Sequence, residues 1–92
     1  MANLRENFEQ YHVENPGIYA LYSHFAKEAK EAGKKVLSIS LITERIRWEQ
    51  TIKTKSPDGF KLSNNHRAFY ARKLDAEPEF TGMFRLREQR SL

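Results

Sequence analysis

The segment from Asn15 to Gly33 constrains the fold of this chain more than any other part of the sequence. Asn15 followed by Pro16 is typical of a helix start, with an N-cap and then proline at the first helical position. Gly33 favours a left-handed helix end. Between these signals one helical stripe is apolar, and it consists of Ile18, Leu21, Tyr22, Phe25 and Ala29. The sequence therefore predicts a helix over residues 16–32 whose apolar face must be covered by other elements.

The same helical spacing predicts further helices. Residues 3–12 place apolar side chains three and four positions apart, and residues 39–51 follow Ser38 or Ser40 as the N-cap. Residues 65–76 follow an Asn-Asn pair that can cap a helix, and a proline can open a short turn of helix over residues 78–84. We expect the apolar residues of this last segment to pack as a C-terminal latch: Phe80, Met83 and Phe84.

The periodicity changes after residue 51. Apolar side chains alternate with basic or polar ones in Ile52-Lys53-Thr54-Lys55 and again in Phe60-Lys61-Leu62. The residues between them, Ser56-Pro57-Asp58-Gly59, match a type I turn. The pattern predicts a short β-hairpin over about residues 52–62, following two helices joined by a Gly-containing turn. The predicted fold class is therefore mainly α with a short β-hairpin, a winged helix-turn-helix-like single domain covering residues 1–92.

The composition excludes several classes of function. A chain of 92 residues has room for one domain, and the lack of cysteine excludes disulfides, thiolate metal sites and cysteine nucleophiles. His12, His24 and His66 show no metal-site spacing, and the sequence has no catalytic triad pattern and no glycine-rich phosphate loop. We therefore expect no catalytic residues, no metal, no cofactor and no enzyme activity. The absence of a signal peptide or a membrane-spanning run predicts a soluble, cytoplasmic protein.

Positive charge is concentrated in the middle of the chain. Residues 1–33 carry three basic and five acidic side chains, residues 34–73 carry ten and three, and residues 74–92 carry three and four. The formal charges of the three segments are thus −2, +7 and −1. A segment as basic as residues 34–73 attracts polyanions, of which phosphate backbones are the commonest. The alternative is that its lysines only solubilise a loop.

The third predicted helix has a polar face that we interpret as a recognition surface. A helix fits the major groove, and the polar side chains of this face have donors and acceptors suited to base edges or phosphates. Glu44 on the same face opposes phosphate binding, and the alternative interpretation is a solvated helix face. We expect the single tryptophan, Trp48, to pack in or at the edge of the core. The predicted nucleic-acid contacts are Lys34, Lys35, Ser40, Thr43, Arg47, Gln50, Lys53, Lys55, Lys61 and Arg67.

Four short motifs resemble a known group of sequences. They are Ile46-Arg47-Trp48-Glu49, Asp58-Gly59-Phe60-Lys61-Leu62, Asn64-Asn65-His66 and Tyr70-Ala71-Arg72. Over about residues 8–84 the chain resembles small phage- and prophage-encoded proteins of no established activity. The resemblance implies a phage-associated origin and a compact helical domain, and it assigns no catalytic residue.

Two classes of function are compatible with these patterns. The leading hypothesis is a DNA-binding accessory or regulatory protein, in which the basic wing binds the backbone of double-stranded DNA and the third helix enters the groove. RNA binding is not separated from DNA binding by the sequence. The alternative is a phage-encoded protein-interaction module that binds and modulates a host protein. Exposed aromatic side chains at Tyr11, Tyr19, Trp48 or Phe80 would favour this alternative. The oligomeric state is left open, a homodimer included.

Overall fold

The computed structural model describes residues 3–54, 62 and 64–84, and within them the chain forms four α-helices and one 3₁₀ helix. The α-helices are α1 (Leu4–Glu14), α2 (Pro16–Glu31), α3 (Ile39–Lys53) and α4 (Arg67–Asp75). The 3₁₀ helix, Asn64–His66, leads directly into α4. The central element is α2, since it packs against α1, α3 and α4.

Local hydrogen bonds define where the first two helices begin and end. Asn3 caps α1, because its side-chain oxygen accepts from the Glu6 N–H at 2.8 Å. Pro16 is the first residue of α2, as predicted. The Asn15 side chain, in contrast, makes no cap hydrogen bond to α2, and its amide donates to the Tyr11 carbonyl at 3.0 Å. Asn15 therefore stabilises the end of the helix before it.

Gly33 ends α2 in the predicted manner. Its φ of +91° lies in the region that favours glycine. The Gly33 N–H donates to the Lys30 carbonyl and the Lys34 N–H donates to the Ala29 carbonyl, both at 3.0 Å. This pair of bonds is a Schellman motif, which satisfies two carbonyls at the helix end. The next helix, α3, has Ser38 as its N-cap.

The predicted β-hairpin over residues 52–62 is wrong. Ile52 and Lys53 form the last turn of α3, and the Thr54 N–H extends the helical pattern by donating to the Gln50 carbonyl at 2.9 Å. Ile52 lies four residues after Trp48, so its position fits a helical stripe equally well as the start of a strand. None of the residues that the structure describes forms a strand, and a winged helix-turn-helix needs a sheet, so this fold class is overturned. The predicted turn, within residues 55–61, lies outside the described residues.

The C-terminal segment packs as predicted but is not a helix. Residues 76–84 form successive turns, in which the Phe80 N–H donates to the Glu77 carbonyl and the Met83 N–H donates to the Phe80 carbonyl. Phe80, Met83 and Phe84 are all buried. The Met83 carbonyl also accepts from the Leu37 N–H at 2.9 Å, so the latch is bound to the α2–α3 connection.

Two tyrosines lie at the centre of the core. The rings of Tyr22 and Tyr70 stack with their centroids 4.5 Å apart, and both side chains are fully buried. Phe8 brings α1 onto this pair, since its ring meets Tyr70 edge-on at 4.8 Å. These aromatic contacts join α1, α2 and α4. The other buried apolar side chains are Ile18, Ala26, Ile42, Ile46, Leu62, Ala71, Leu74, Phe80, Met83 and Phe84.

A buried hydrogen bond joins α2 to α3. The Tyr22 hydroxyl lies 2.6 Å from Thr43 Oγ1, and the Thr43 hydroxyl donates to the Ile39 carbonyl at 2.9 Å. Because Thr43 gives its only hydroxyl proton to Ile39, Tyr22 is the donor in the shared bond. Thr43 is 0% exposed, so water cannot replace either partner.

Replacing Thr43 by valine should destabilise the fold. Valine keeps the shape of the side chain but leaves the Tyr22 hydroxyl buried without an acceptor, so we expect the free energy of unfolding to fall by about 1–3 kcal/mol. Urea denaturation followed by circular dichroism measures this change. The Tyr22→Phe/Thr43→Val double variant is the control and should recover part of the loss. Wild-type stability of the single variant would contradict the role given to this bond.

Candidate functional site

The structure places the predicted nucleic-acid contacts in three different environments. Lys34, Lys35 and Lys53 are exposed, at the two ends of α3. Lys55 and Lys61 lie outside the described residues. The remaining predicted contacts are partly or fully buried: Ser40, Thr43, Arg47, Gln50 and Arg67. The predicted polar face of α3 therefore does not form one exposed surface.

Thr43 shows how α3 is rotated about its axis. It was predicted to face a nucleic acid, but its side chain lies in the core against Tyr22. Ile42 and Ile46 are buried on the same side of the helix. Thr43 thus offers no atom to a ligand in this conformation, and the exposed side of α3 is the opposite one.

The two predicted arginine contacts are bound to other parts of the chain. Arg67 Nη1 donates to Ser40 Oγ at 3.0 Å, which connects the start of α4 to the start of α3. Arg47 donates to the Glu44 carboxylate and to the Leu62 carbonyl. The second hydrogen bond connects α3 to Leu62, which is a buried core residue. Both guanidinium groups therefore contribute to the fold itself.

The pKa of the Tyr22 phenol reflects its burial and the nearby charges of Arg47 and Arg67. Burial raises the pKa of the Tyr22 phenol to about 12, although the charges of Arg47 and Arg67 act in the opposite direction. The two arginines therefore lie close enough to the buried hydroxyl pair to influence its ionisation. The phenol stays protonated at neutral pH, as its role as a donor to Thr43 requires.

His66 is a core residue. It is 7% exposed and its ring lies 4.9 Å from the Tyr11 ring and 5.6 Å from the Phe8 ring. Its buried Nδ1 has no hydrogen-bond partner. Burial lowers the pKa of the imidazole below its usual value of 6.5, so the ring is neutral at neutral pH.

Three large apolar side chains lie on the exposed side of α3. Leu41, Trp48 and Ile52 follow one another at seven and four residues, which places them on one face of the helix. Their exposed fractions are 60%, 66% and 64%. We call these three residues the α3 outer face. The prediction that Trp48 packs in or at the edge of the core is therefore wrong.

Charged side chains border the α3 outer face and pair with one another. Arg45 Nε lies 3.2 Å from Glu49 Oε1, and Lys53 Nζ lies 3.9 Å from Glu49 Oε2. On the other border Glu44 pairs with Arg47. The result is an apolar strip with a rim of paired charges. This strip was not predicted, although the sequence of α3 carries the signal for it: α3 has more apolar residues than the two, Ile42 and Ile46, that the core buries.

Comparisons of the chain with protein-family models, with curated proteins and with solved structures find no match. None of the helices in the described residues combines the length and the apolar character that crossing a membrane requires.

The stability of the domain should decrease in mildly acidic solution because of His66. The unfolded chain takes up a proton near pH 6.5, whereas burial keeps the folded imidazole neutral to a lower pH, so protonation favours unfolding. We expect the free energy of unfolding to fall between about pH 7.5 and about pH 5.5. Replacing His66 by glutamine should make this dependence shallower in urea denaturation at a series of pH values, and His12, whose pKa burial also lowers, should keep part of it. An unchanged slope in the variant would assign the effect to other groups.

Proposed function

We propose that this chain is a protein-interaction module that binds a polypeptide partner through the α3 outer face. The observation that supports this best is Trp48, which is 66% exposed at the middle of an apolar strip. The sequence offers three other aromatic residues whose exposure would favour this function. Of these, Tyr11 and Tyr19 are partly buried and Phe80 is 1% exposed. Tryptophan is the residue type most enriched at the energetic centre of protein interfaces.

The anatomy of the strip matches that of an interface. An apolar centre with a polar rim is the usual arrangement, and Leu41, Trp48 and Ile52 are bordered by charged side chains on both sides. From Leu41 to Ile52 the strip runs along α3 for about 16 Å. This length fits about three turns of a partner helix. We therefore propose that the partner presents the apolar face of an amphipathic helix.

The pairing of the rim charges determines how strongly partner binding depends on electrostatics. Glu49 is shared by Arg45 and Lys53, and Glu44 pairs with Arg47, so the rim presents little net charge to a partner. Burial of apolar surface then supplies most of the affinity. Binding at this surface should consequently depend weakly on salt, unlike binding to a phosphate backbone.

The resemblance to phage- and prophage-encoded proteins extends this proposal. The resemblance stays a prediction, and on it we propose that the partner of the module is a host protein, which the module binds and modulates. The predicted cytoplasmic location belongs to the same proposal. Photo-crosslinkers placed at positions 41, 48 and 52 should capture the same host protein, and crosslinkers at positions 27 and 31 on α2 should not.

Replacing Trp48 by alanine should abolish partner binding without unfolding the domain. Since the side chain is exposed, we expect a change in stability within about 0.5 kcal/mol. We expect affinity for the captured partner to fall at least about 30-fold, equivalent to about 2 kcal/mol. Trp48 is the only tryptophan, so a blue shift of its fluorescence reports burial in the wild-type complex. Lys27→Ala is the control, and equal binding by both variants would exclude the α3 outer face as the interface.

A second candidate function is the binding of double-stranded DNA, with RNA as its variant. The observation that favours it is the charge of +7 over residues 34–73. Lys34, Lys35 and Lys53 are exposed at opposite ends of α3, and on this proposal they contact phosphates without a wing.

The Lys34→Glu/Lys35→Glu variant tests this second candidate. We expect weaker binding to a random DNA duplex and a shallower dependence of affinity on salt, because each lost phosphate contact reduces the slope by about 1. Fluorescence anisotropy of a labelled duplex at several salt concentrations measures both. Trp48→Ala is the matched control and should bind DNA as the wild type does. If the wild type fails to bind even at low salt, the DNA proposal is rejected.

A further inference from the structure

The α3 outer face and Arg45, which borders it, are spaced symmetrically along the helix. Leu41, Arg45, Trp48 and Ile52 follow one another at intervals of four, three and four residues. The order of these intervals is the same from either end of the helix. A second copy of α3 that runs in the opposite direction therefore places its side chains at the same levels, related by a two-fold axis through the midpoint between Arg45 and Trp48.

The apolar side chains of two such copies meet across this axis. Leu41 lies at the level of Ile52 of the second copy, and the two Trp48 side chains lie about 4.5 Å apart along the helix direction. In the single chain each of these three residues is at least 60% exposed. Each copy thus presents to the other the apolar face of an amphipathic helix, which is the kind of surface that the α3 outer face fits.

The charged rim is complementary to itself in the same arrangement. The two-fold axis keeps each rim beside the same rim of the second copy and reverses its direction. Arg45 then lies within about 1.5 Å of the level of Glu49 of the second copy, and the reciprocal pair is equivalent. Opposite charges therefore face each other twice across the interface.

Arg45 can take part without losing its present contacts. Its Nε lies 3.2 Å from Glu49 Oε1 of the same chain, and its guanidinium lies 5.2 Å from the Phe25 ring centroid. The side chain is nevertheless 52% exposed. A guanidinium has several N–H donors and a carboxylate accepts several hydrogen bonds, so the same groups can pair within a chain and between chains.

We propose that two copies of this chain pair through their α3 outer faces in antiparallel orientation, and that this pairing regulates access to the partner site. The inference rests on the proposed function, since both use the same surface. The dimer covers Trp48 while the partner is absent, and a partner helix displaces the second copy. Three apolar side chains from each copy make a small interface, so the dimer is weak and reversible. Apparent affinity for the partner should therefore fall as the concentration of the chain rises.

Sedimentation equilibrium of the full chain, without any partner, measures the pairing. We expect a monomer at low micromolar concentration and a dimer at millimolar concentration. The fluorescence of Trp48, the only tryptophan, should shift to the blue over the same range. Trp48→Ala should stay monomeric. A wild-type chain that stays monomeric throughout, or a Trp48→Ala variant that dimerises as the wild type does, would overturn the proposal.

Charge reversal tests whether Arg45 and Glu49 face each other across the axis. Arg45→Glu and Glu49→Arg each place like charges opposite one another, so either variant alone should dimerise at least about tenfold more weakly than the wild type. An equal mixture of the two variants should pair at least as tightly as the wild type, because every cross pair is then opposite in charge. Lys27→Glu makes the same charge change on α2 and should dimerise normally. Normal dimerisation of both single variants, or no pairing in the mixture, would contradict this arrangement.

Cross-linking tests the antiparallel direction. The chain has no cysteine, so Leu41→Cys and Ile52→Cys each introduce a single thiol. A short bismaleimide should join the two variants in a mixture much faster than it joins two copies of either one, whose thiols lie about 16 Å apart along the axis. Faster joining of identical variants would overturn the antiparallel pairing.

These measurements contain no partner, so they separate this inference from the proposed function. A chain that stays monomeric, but captures a partner that Trp48→Ala does not bind, overturns the pairing alone. A dimer with the expected cross-links, and no partner captured at positions 41, 48 and 52, supports the pairing and rejects the proposed function.

Discussion

The hydrogen bond between Tyr22 and Thr43 determines which side of α3 faces the core. Trp48 follows Thr43 by five residues, which places the two side chains about 140° apart around the helix. With Thr43 held against Tyr22, Trp48 must lie outside. A rotation that brought Trp48 inside would leave the buried Tyr22 hydroxyl without its acceptor, at a cost of about 1–3 kcal/mol. One polar contact thus decides what the domain exposes.

Packing against the tyrosine pair supports the same orientation. The rings of Tyr22 and Tyr70 occupy the space between α2 and α4, and the compact side chains of Ile42 and Ile46 belong to the same buried cluster. Protein interiors are close-packed, so an indole in place of these isoleucines would force the helices apart. The α3 outer face is therefore the apolar surface left over once the core is full. Its exposure costs free energy in the isolated chain, and a partner can recover that cost.

The parts of the fold that depend on local signals could be predicted from the sequence, and those that depend on tertiary contacts could not. Pro16 and Gly33 bound a helix through their own backbone properties, and α2 runs between them. The alternation after residue 51 was too short to distinguish a strand from the end of a helix, so the hairpin was predicted wrongly. The rotation of α3 about its axis could not be predicted for another reason. It depends on the Tyr22 hydroxyl, which belongs to α2.

The residues that bind a ligand could not be predicted from the charge of the sequence alone. The sequence shows how many cations a segment has, but it does not show what each of them binds. Arg47 and Arg67 belong to the most basic part of the chain, yet they donate to the Leu62 carbonyl and to Ser40. Arg72 and Lys73 belong to the same part and lie over the rings of Phe69 and Tyr19. A phosphate bound by Arg47 or Arg67 must replace these hydrogen bonds, so the charge of the segment overstates what it offers to a ligand.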